Sequence, residues 1–120
     1  MADINRDYII RINSIKSGIL DVPKKLTYFV NDKNTQNLYL IVGEDTTGLN
    51  IELAIRTPYG ENIIIQPVTR NKNKIAENIS EYYVETAVVG KYKAEFHFKY
   101  EDKISTSFPF EYSVEDNYIK

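Results

Sequence analysis

Between Lys91 and Tyr100 the chain alternates strictly for ten residues. Tyr92, Ala94, Phe96, Phe98 and Tyr100 fall on one side; Lys91, Lys93, Glu95, His97 and Lys99 fall on the other. Period two over that length is the signature of a β-strand with one face in a core and one in water. No helix can bury such a pattern, so this stretch constrains the rest of the fold. The following segment repeats it: Phe108, Phe110, Tyr112 and Val114 alternate with Pro109, Glu111, Ser113 and Glu115. Glu101-Asp102-Lys103 is a polar link of turn length, so residues 91–114 are expected to form an antiparallel hairpin. Pro109 has no N–H to donate and is expected at an edge or a bulge.

Upstream segments behave alike. Ile51, Leu53 and Ile55 alternate with Glu52, Ala54 and Arg56. Tyr8, Ile10 and Ile12 alternate with Ile9, Arg11 and Asn13, while 38–42 is apolar on both faces. Residues 25–30, 62–68 and 79–84 are rich in β-formers. Thr57-Pro58-Tyr59-Gly60 suits a type I turn, with proline second and glycine fourth. Gly48 and Gly90 precede strands, where positive φ is often needed. About eight short strands with no helical stripe between them predict an all-β, antiparallel β-sandwich. The 120 residues suffice for one domain over 1–120. Residues 115–120 read as a frayed tail or the start of a linker. Polar residues 70–78 read as a long loop with room for one helical turn.

Little in the chain points to catalysis. There is no cysteine and one histidine, which removes thiolate chemistry, disulfides and any site needing two histidines. His97 shares the polar face with Glu95 and Lys99, and a solvated strand histidine is the simpler reading than a general base. The serines lie in no nucleophile-elbow pattern, and the five glycines form no phosphate loop. The acid pairs Glu44-Asp45 and Glu101-Asp102 sit in expected turns. Asp32, Asn34 and Thr35 lack the spaced acids of a calcium loop. No cofactor and no metal is therefore expected. Fifteen basic against seventeen acidic residues give no field that argues for nucleic acid. Apolar runs such as Ile63-Ile64-Ile65 are far from a membrane span, and the N-terminus lacks the apolar core of a signal peptide.

What remains is surface. Ten tyrosines supply rings with an apolar body and a polar tip, suited to interfaces and to sugars. Tyr92, Tyr100 and Tyr112 share faces with phenylalanines and are expected in the core. Tyr59, at a turn tip, is a candidate partner contact. Arg70, Lys72 and Lys74 form a basic stretch that reads as a solvated loop or as a contact for an acidic partner.

Five pieces, in order, carry a resemblance. They are Val30-Asn31-Asp32-Lys33-Asn34-Thr35 leading to Leu38 and Leu40, Thr47-Gly48-Leu49 before Ile51 and Leu53, and the turn Pro58-Tyr59-Gly60. The last two are Val89 to Phe96, with its Gly90-Lys91-Tyr92, and Thr106, Phe108, Phe110 and Val114. From Leu26 to Val114 the chain resembles the N-terminal immunoglobulin-like domain of phage baseplate upper proteins, the BppU family. The resemblance implies an immunoglobulin-like sandwich without catalytic residues. It also implies a location in the virion tail, with the distal tail hub and receptor-binding proteins as partners, in multiple symmetric copies. A carbohydrate-binding sandwich that stacks sugars on exposed tyrosines is the alternative.

Overall fold

The structure is a computed structural model that describes residues 3–32, 35–68 and 78–117. The alternating stretch is its longest strand, Gly90–Tyr100. Numbered in chain order, the strands are β1 (Arg6–Ile12), β2 (Leu20–Asp21), β3 (Thr27–Phe29), β4 (Gln36–Val42), β5 (Asn50–Arg56), β6 (Asn62–Ile65), β7 (Ile79–Tyr83), β8 (Gly90–Tyr100), β9 (Lys103–Thr106) and β10 (Phe110–Glu115). A single 3₁₀ turn, Ile15–Ser17, separates β1 from β2. The two additional strands beyond the expected eight come from the short β2 and from a break between β9 and β10.

Two sheets result. One has the order β2-β1-β4-β7; the other runs β3-β10-β8-β5-β6, with β9 also on β8. The order β10-β8-β5-β6 is that of the G, F, C and C′ strands of an immunoglobulin sheet, and β4 beside β7 matches B beside E. The fold is thus an immunoglobulin-like sandwich. It is not wholly antiparallel: β1 lies parallel to β4, and β3 parallel to β10. Hydrophobic alternation reports which face a residue takes but not the direction of its neighbour, so these pairs are silent in the sequence.

The core is one cluster. Ile10, Ile12, Leu38, Leu40, Val42 and Tyr82 come from the first sheet; Leu53, Tyr92, Phe96, Tyr112 and Val114 are among those from the second. Tyrosine hydroxyls tie the layers together. From the first sheet, Tyr8 donates to the Thr27 carbonyl (2.9 Å) and Tyr82 to that of Ile51 (2.8 Å). From the second, Tyr28 donates to the Asn37 carbonyl at 2.9 Å. Tyr92 stacks on Tyr112 at 4.8 Å between centroids. Their hydroxyls reach the Val88 carbonyl (2.6 Å) and the Glu85 carbonyl (2.7 Å) on the link into β8. Tyr92, near the start of the F-like strand and bonded four residues back, is the tyrosine corner of Greek-key sandwiches.

Gly90 shows why glycine opens β8. Its φ is +144°, and a Cβ there would stand 2.7 Å from the Pro58 ring. The β8 entry and the β5–β6 turn touch through that missing side chain.

Burial pushes the phenols of Tyr28, Tyr82 and Tyr112 well above their ordinary value and raises that of Tyr92. The unfolded chain ionises near pH 10, while the folded chain holds these protons. Stability is therefore unaffected by these groups below about pH 10 and falls as pH rises above it. In alkaline titration, phenolate absorbance from Tyr28, Tyr82 and Tyr112 is expected to appear only together with loss of the β-sheet circular-dichroism signal. Full tyrosine ionisation in a chain still folded would contradict the burial described here.

Candidate assembly surface

The return strand beside β8 explains the surface. His97 pairs with Thr106 on β9, and Ala94 pairs with Phe110 on β10. Three steps along β8 thus match four along its neighbour. That extra residue is a β-bulge, and it holds Pro109, as its missing N–H requires. Ser107 bridges the gap: the Phe96 N–H donates to its Oγ (3.0 Å), while the Ser107 N–H donates to the Phe96 carbonyl (3.0 Å). The bulge has a consequence that alternation does not foresee. Phe108, expected inward with Phe110, is 63% exposed, whereas Phe110 is buried. Its N–H instead reaches the Gly18 carbonyl at 2.8 Å.

Tyr100 also departs from expectation. It sits at the last position of β8, beyond the reach of β5, whose pairing ends at Lys99. The ring is 48% exposed. Tyr92 and Tyr112 are buried as expected.

Tyr59 lies where the sequence puts it, at the tip of the β5–β6 hairpin, and is 57% exposed. The tip is a three-residue loop. The Gly60 N–H closes the turn on the Thr57 carbonyl (3.0 Å), and Gly60 itself takes φ +87°. This is a type I turn followed by a left-handed glycine, a common way to close such a hairpin. Thr57 Oγ1 accepts the Glu61 N–H at 2.9 Å and fixes the tip further. Arg70, Lys72 and Lys74 lie outside the described residues, as does the rest of 70–77.

On the outer face of the β8 sheet, the cross-strand rows read Ile64–Ala54–Glu95 and Asn62–Arg56–Lys93. Ala54 is small among larger neighbours, so the surface dips there. The result is a groove of about 420 Å³ lined by Ala54, Arg56, Asn62, Ile64, Lys93 and Glu95, with His97 at one side. Its sequence signal was Ala54 itself, a one-carbon side chain on an outward position between Glu52 and Arg56. Arg56 and Lys93 face each other across the strands, a placement in which like charges repel.

Four other charged or titratable side chains of this face are paired with one another, His97 with Glu95 and Lys99 with Glu52. His97 Nε2 lies 2.6 Å from Glu95 Oε2. Glu52, only 7% exposed, accepts from Gln66 Nε2 (2.9 Å), from Asn50 Nδ2 (3.3 Å) and from Lys99 Nζ (3.0 Å). Gln66 and then Lys99 hold its carboxyl below the usual glutamate range. The carboxylate of Glu95 orients the His97 ring, and among the described residues no hydroxyl is hydrogen-bonded to that ring. Among the described residues no group of three or more His, Cys, Asp or Glu could hold a metal ion. No described helix is long and apolar enough to cross a membrane.

No protein-family model matches this chain, and no curated protein matches it. Solved structures do. One, described as the N-terminal domain of phage TP901-1 ORF48, aligns with a TM-score of 0.59 at 15% sequence identity, covering 91% of this chain and 98% of that chain. At the level of fold, this agrees with the resemblance carried by the sequence pieces.

Two predictions follow from side-chain placement. Phe108→Ser is expected to change unfolding stability by less than about 0.5 kcal/mol, as for exposed positions. Phe110→Ala should cost roughly 3–5 kcal/mol; urea unfolding separates the two, and equal losses would remove the bulge. The second concerns acid. A carboxyl lowered in the fold stabilises fully above the unfolded glutamate value near 4.3 and loses that contribution as pH falls through the folded value. Glu52→Gln is therefore expected to flatten the acid limb of the stability profile, with its largest deficit near neutrality.

Proposed function

We propose that this chain is a non-catalytic structural domain of a phage tail baseplate, joining the tail tip to receptor-binding proteins through protein–protein contacts. The observation that carries the reading is the end-to-end match to a phage domain, 98% of which is covered. It gains weight from the five sequence pieces that resemble baseplate upper proteins in the same order. The residues agree with a role built on surface: the outer face holds charge pairs and a shallow groove, and exposed Tyr59 stands on a rigid tip. The partners are other tail proteins, with the distal hub and receptor-binding proteins implied by the resemblance, and the location is the virion tail. The carbohydrate-binding alternative has less support. The half-exposed Tyr59, Tyr83 and Tyr100 belong to a hairpin tip, an edge strand and the far end of β8, and so form no shared stacking row.

The test is purification of tail particles with the chain tagged, followed by mass spectrometry and labelling under the electron microscope. The expected result is label at the tail tip. Absence from intact, purified tails, with the peptides also missing by mass spectrometry, would end the baseplate reading. Binding of the isolated domain on a glycan array, lost in Tyr59→Ala, would favour the sugar-binding alternative.

A further inference from the structure

Two charged features toward opposite ends of β8 take part in no ion pair among the described residues. The first is the cation pair of the groove. Ion pairs join Arg6 to Asp32, His97 to Glu95 and Lys99 to Glu52, and among the described residues neither Arg56 nor Lys93 takes part in one. Arg56 Nε is satisfied by Asn62 Oδ1 at 3.2 Å, a neutral acceptor. Lys93 has Glu111 as its register neighbour on the other side, outside ion-pairing distance. Two like charges thus stand opposed across a dip, and a carboxylate entering from outside would relieve both.

The second feature is the turn between β8 and β9. Tyr100 pairs with Lys103, so Glu101 and Asp102 alone make the connection. Glu101 has φ +54° and is the one described residue other than glycine with positive φ. Two-residue hairpin turns with positive φ at the first position take glycine by preference. A glutamate there keeps a charge at a position where glycine would remove strain, which points to a use for that charge. Both acids are exposed, and among the described residues neither is in an ion pair. Half-exposed Tyr100 and exposed Ile104 flank them.

We propose that the acidic turn Glu101-Asp102 of one copy docks in the Arg56–Lys93 groove of a second copy. Along β8 the turn and the groove are about 26 Å apart, so one molecule cannot satisfy itself. Charge complementarity selects the pairing: two adjacent carboxylates meet two adjacent cations. Tyr100 and Ile104 then bring apolar surface toward Ile64 and Ala54. Where each copy's turn enters the other's groove, the contact gives a closed two-fold dimer; where it is made in one direction only, it closes into rings or extends as filaments. The inference rests on the proposed tail role only for the expectation that several copies meet.

The test is sedimentation of the full chain over a concentration series reaching roughly millimolar, since an interface built on one turn and one groove is small. Association is expected at low salt and should fall at least about tenfold at high salt, as screened charge contacts do. Arg56→Glu with Lys93→Glu, and separately Glu101→Lys with Asp102→Lys, should each leave monomer. Mixing the two variants should restore association, because each then offers the charge that the other lacks. A wild-type chain that stays monomeric at low salt overturns the proposal. So does association that neither reversal disturbs. Binding of a glutamate-rich peptide to the groove of a chain that remains monomeric would overturn it in favour of an acidic segment from another protein. Failure of the tail reading looks different: the chain would be missing from tails while self-association persisted. Tails carrying normal amounts of both reversal variants would count against the docking alone.

Discussion

The fold depends on phenol hydroxyls held at the ends of buried rings. Each of Tyr28, Tyr82, Tyr92 and Tyr112 places a large ring in the core and must satisfy one polar atom there. An unsatisfied buried hydroxyl costs more than its hydrogen bond returns, so the partner carbonyl has to be in position when the sheets meet. Tyr28 and Tyr82 find theirs on the opposite sheet, in opposite directions. The two layers can then slide little without orphaning both. Tyr92 and Tyr112 do the same for the 84–89 link, which delivers Gly90 against Pro58. The β5–β6 tip and the start of β8 are thereby held in one place. The groove between β5, β6 and β8 is built on those same strands.

Much of this was legible in residue order. The ten-residue alternation located β8 and its two faces, and Pro109 announced a bulge or an edge. The turn chemistry of Pro58-Tyr59-Gly60 placed an aromatic ring at a tip. What was lost follows from a single fact: alternation assumes an unbroken ladder. One inserted residue at 107–109 reverses the sense of the pattern, so Phe108 turns outward while Phe110 stays in. Tyr100 was lost for a related reason, since a strand can bury a ring only as far as its neighbours extend. The parallel pairs β1–β4 and β3–β10 depend on which strands become neighbours across long separations, which local pattern does not encode.

The groove was half legible. Arg56 and Ala54 fell on the outward face of their strand, and Lys93 on the outward face of another. That these faces adjoin depends on the β5–β8 register, in which Arg56 meets Lys93 and Ala54 meets Glu95. A shift by two residues would keep every face correct. It would also set Arg56 against Glu95 or Lys91, and in the first case the repulsion would vanish. The core decides otherwise, because Leu53 opposite Phe96 and Ile55 opposite Ala94 fill the interior. Packing outweighs one surface charge contact, since burying such side chains is worth roughly 1.5–3 kcal/mol each and an exposed ion pair at most about 1 kcal/mol.

That ranking of energies also bears on what the outer face can do. The core sets the register, and the outward charges accept whatever neighbours result. Glu52 gains Lys99 and Gln66, and Glu95 gains His97, so those groups are spent within the molecule. Arg56 and Lys93 gain each other and remain available. An interface on such a face needs no movement of the scaffold, because its polar groups already stand on paired strands. The energetic cost of opposing the two cations is borne by the isolated domain and relieved when a carboxylate arrives. A rigid sandwich with an unneutralised charge pair beside a tip is thus biased toward association through the same packing that makes it stable alone.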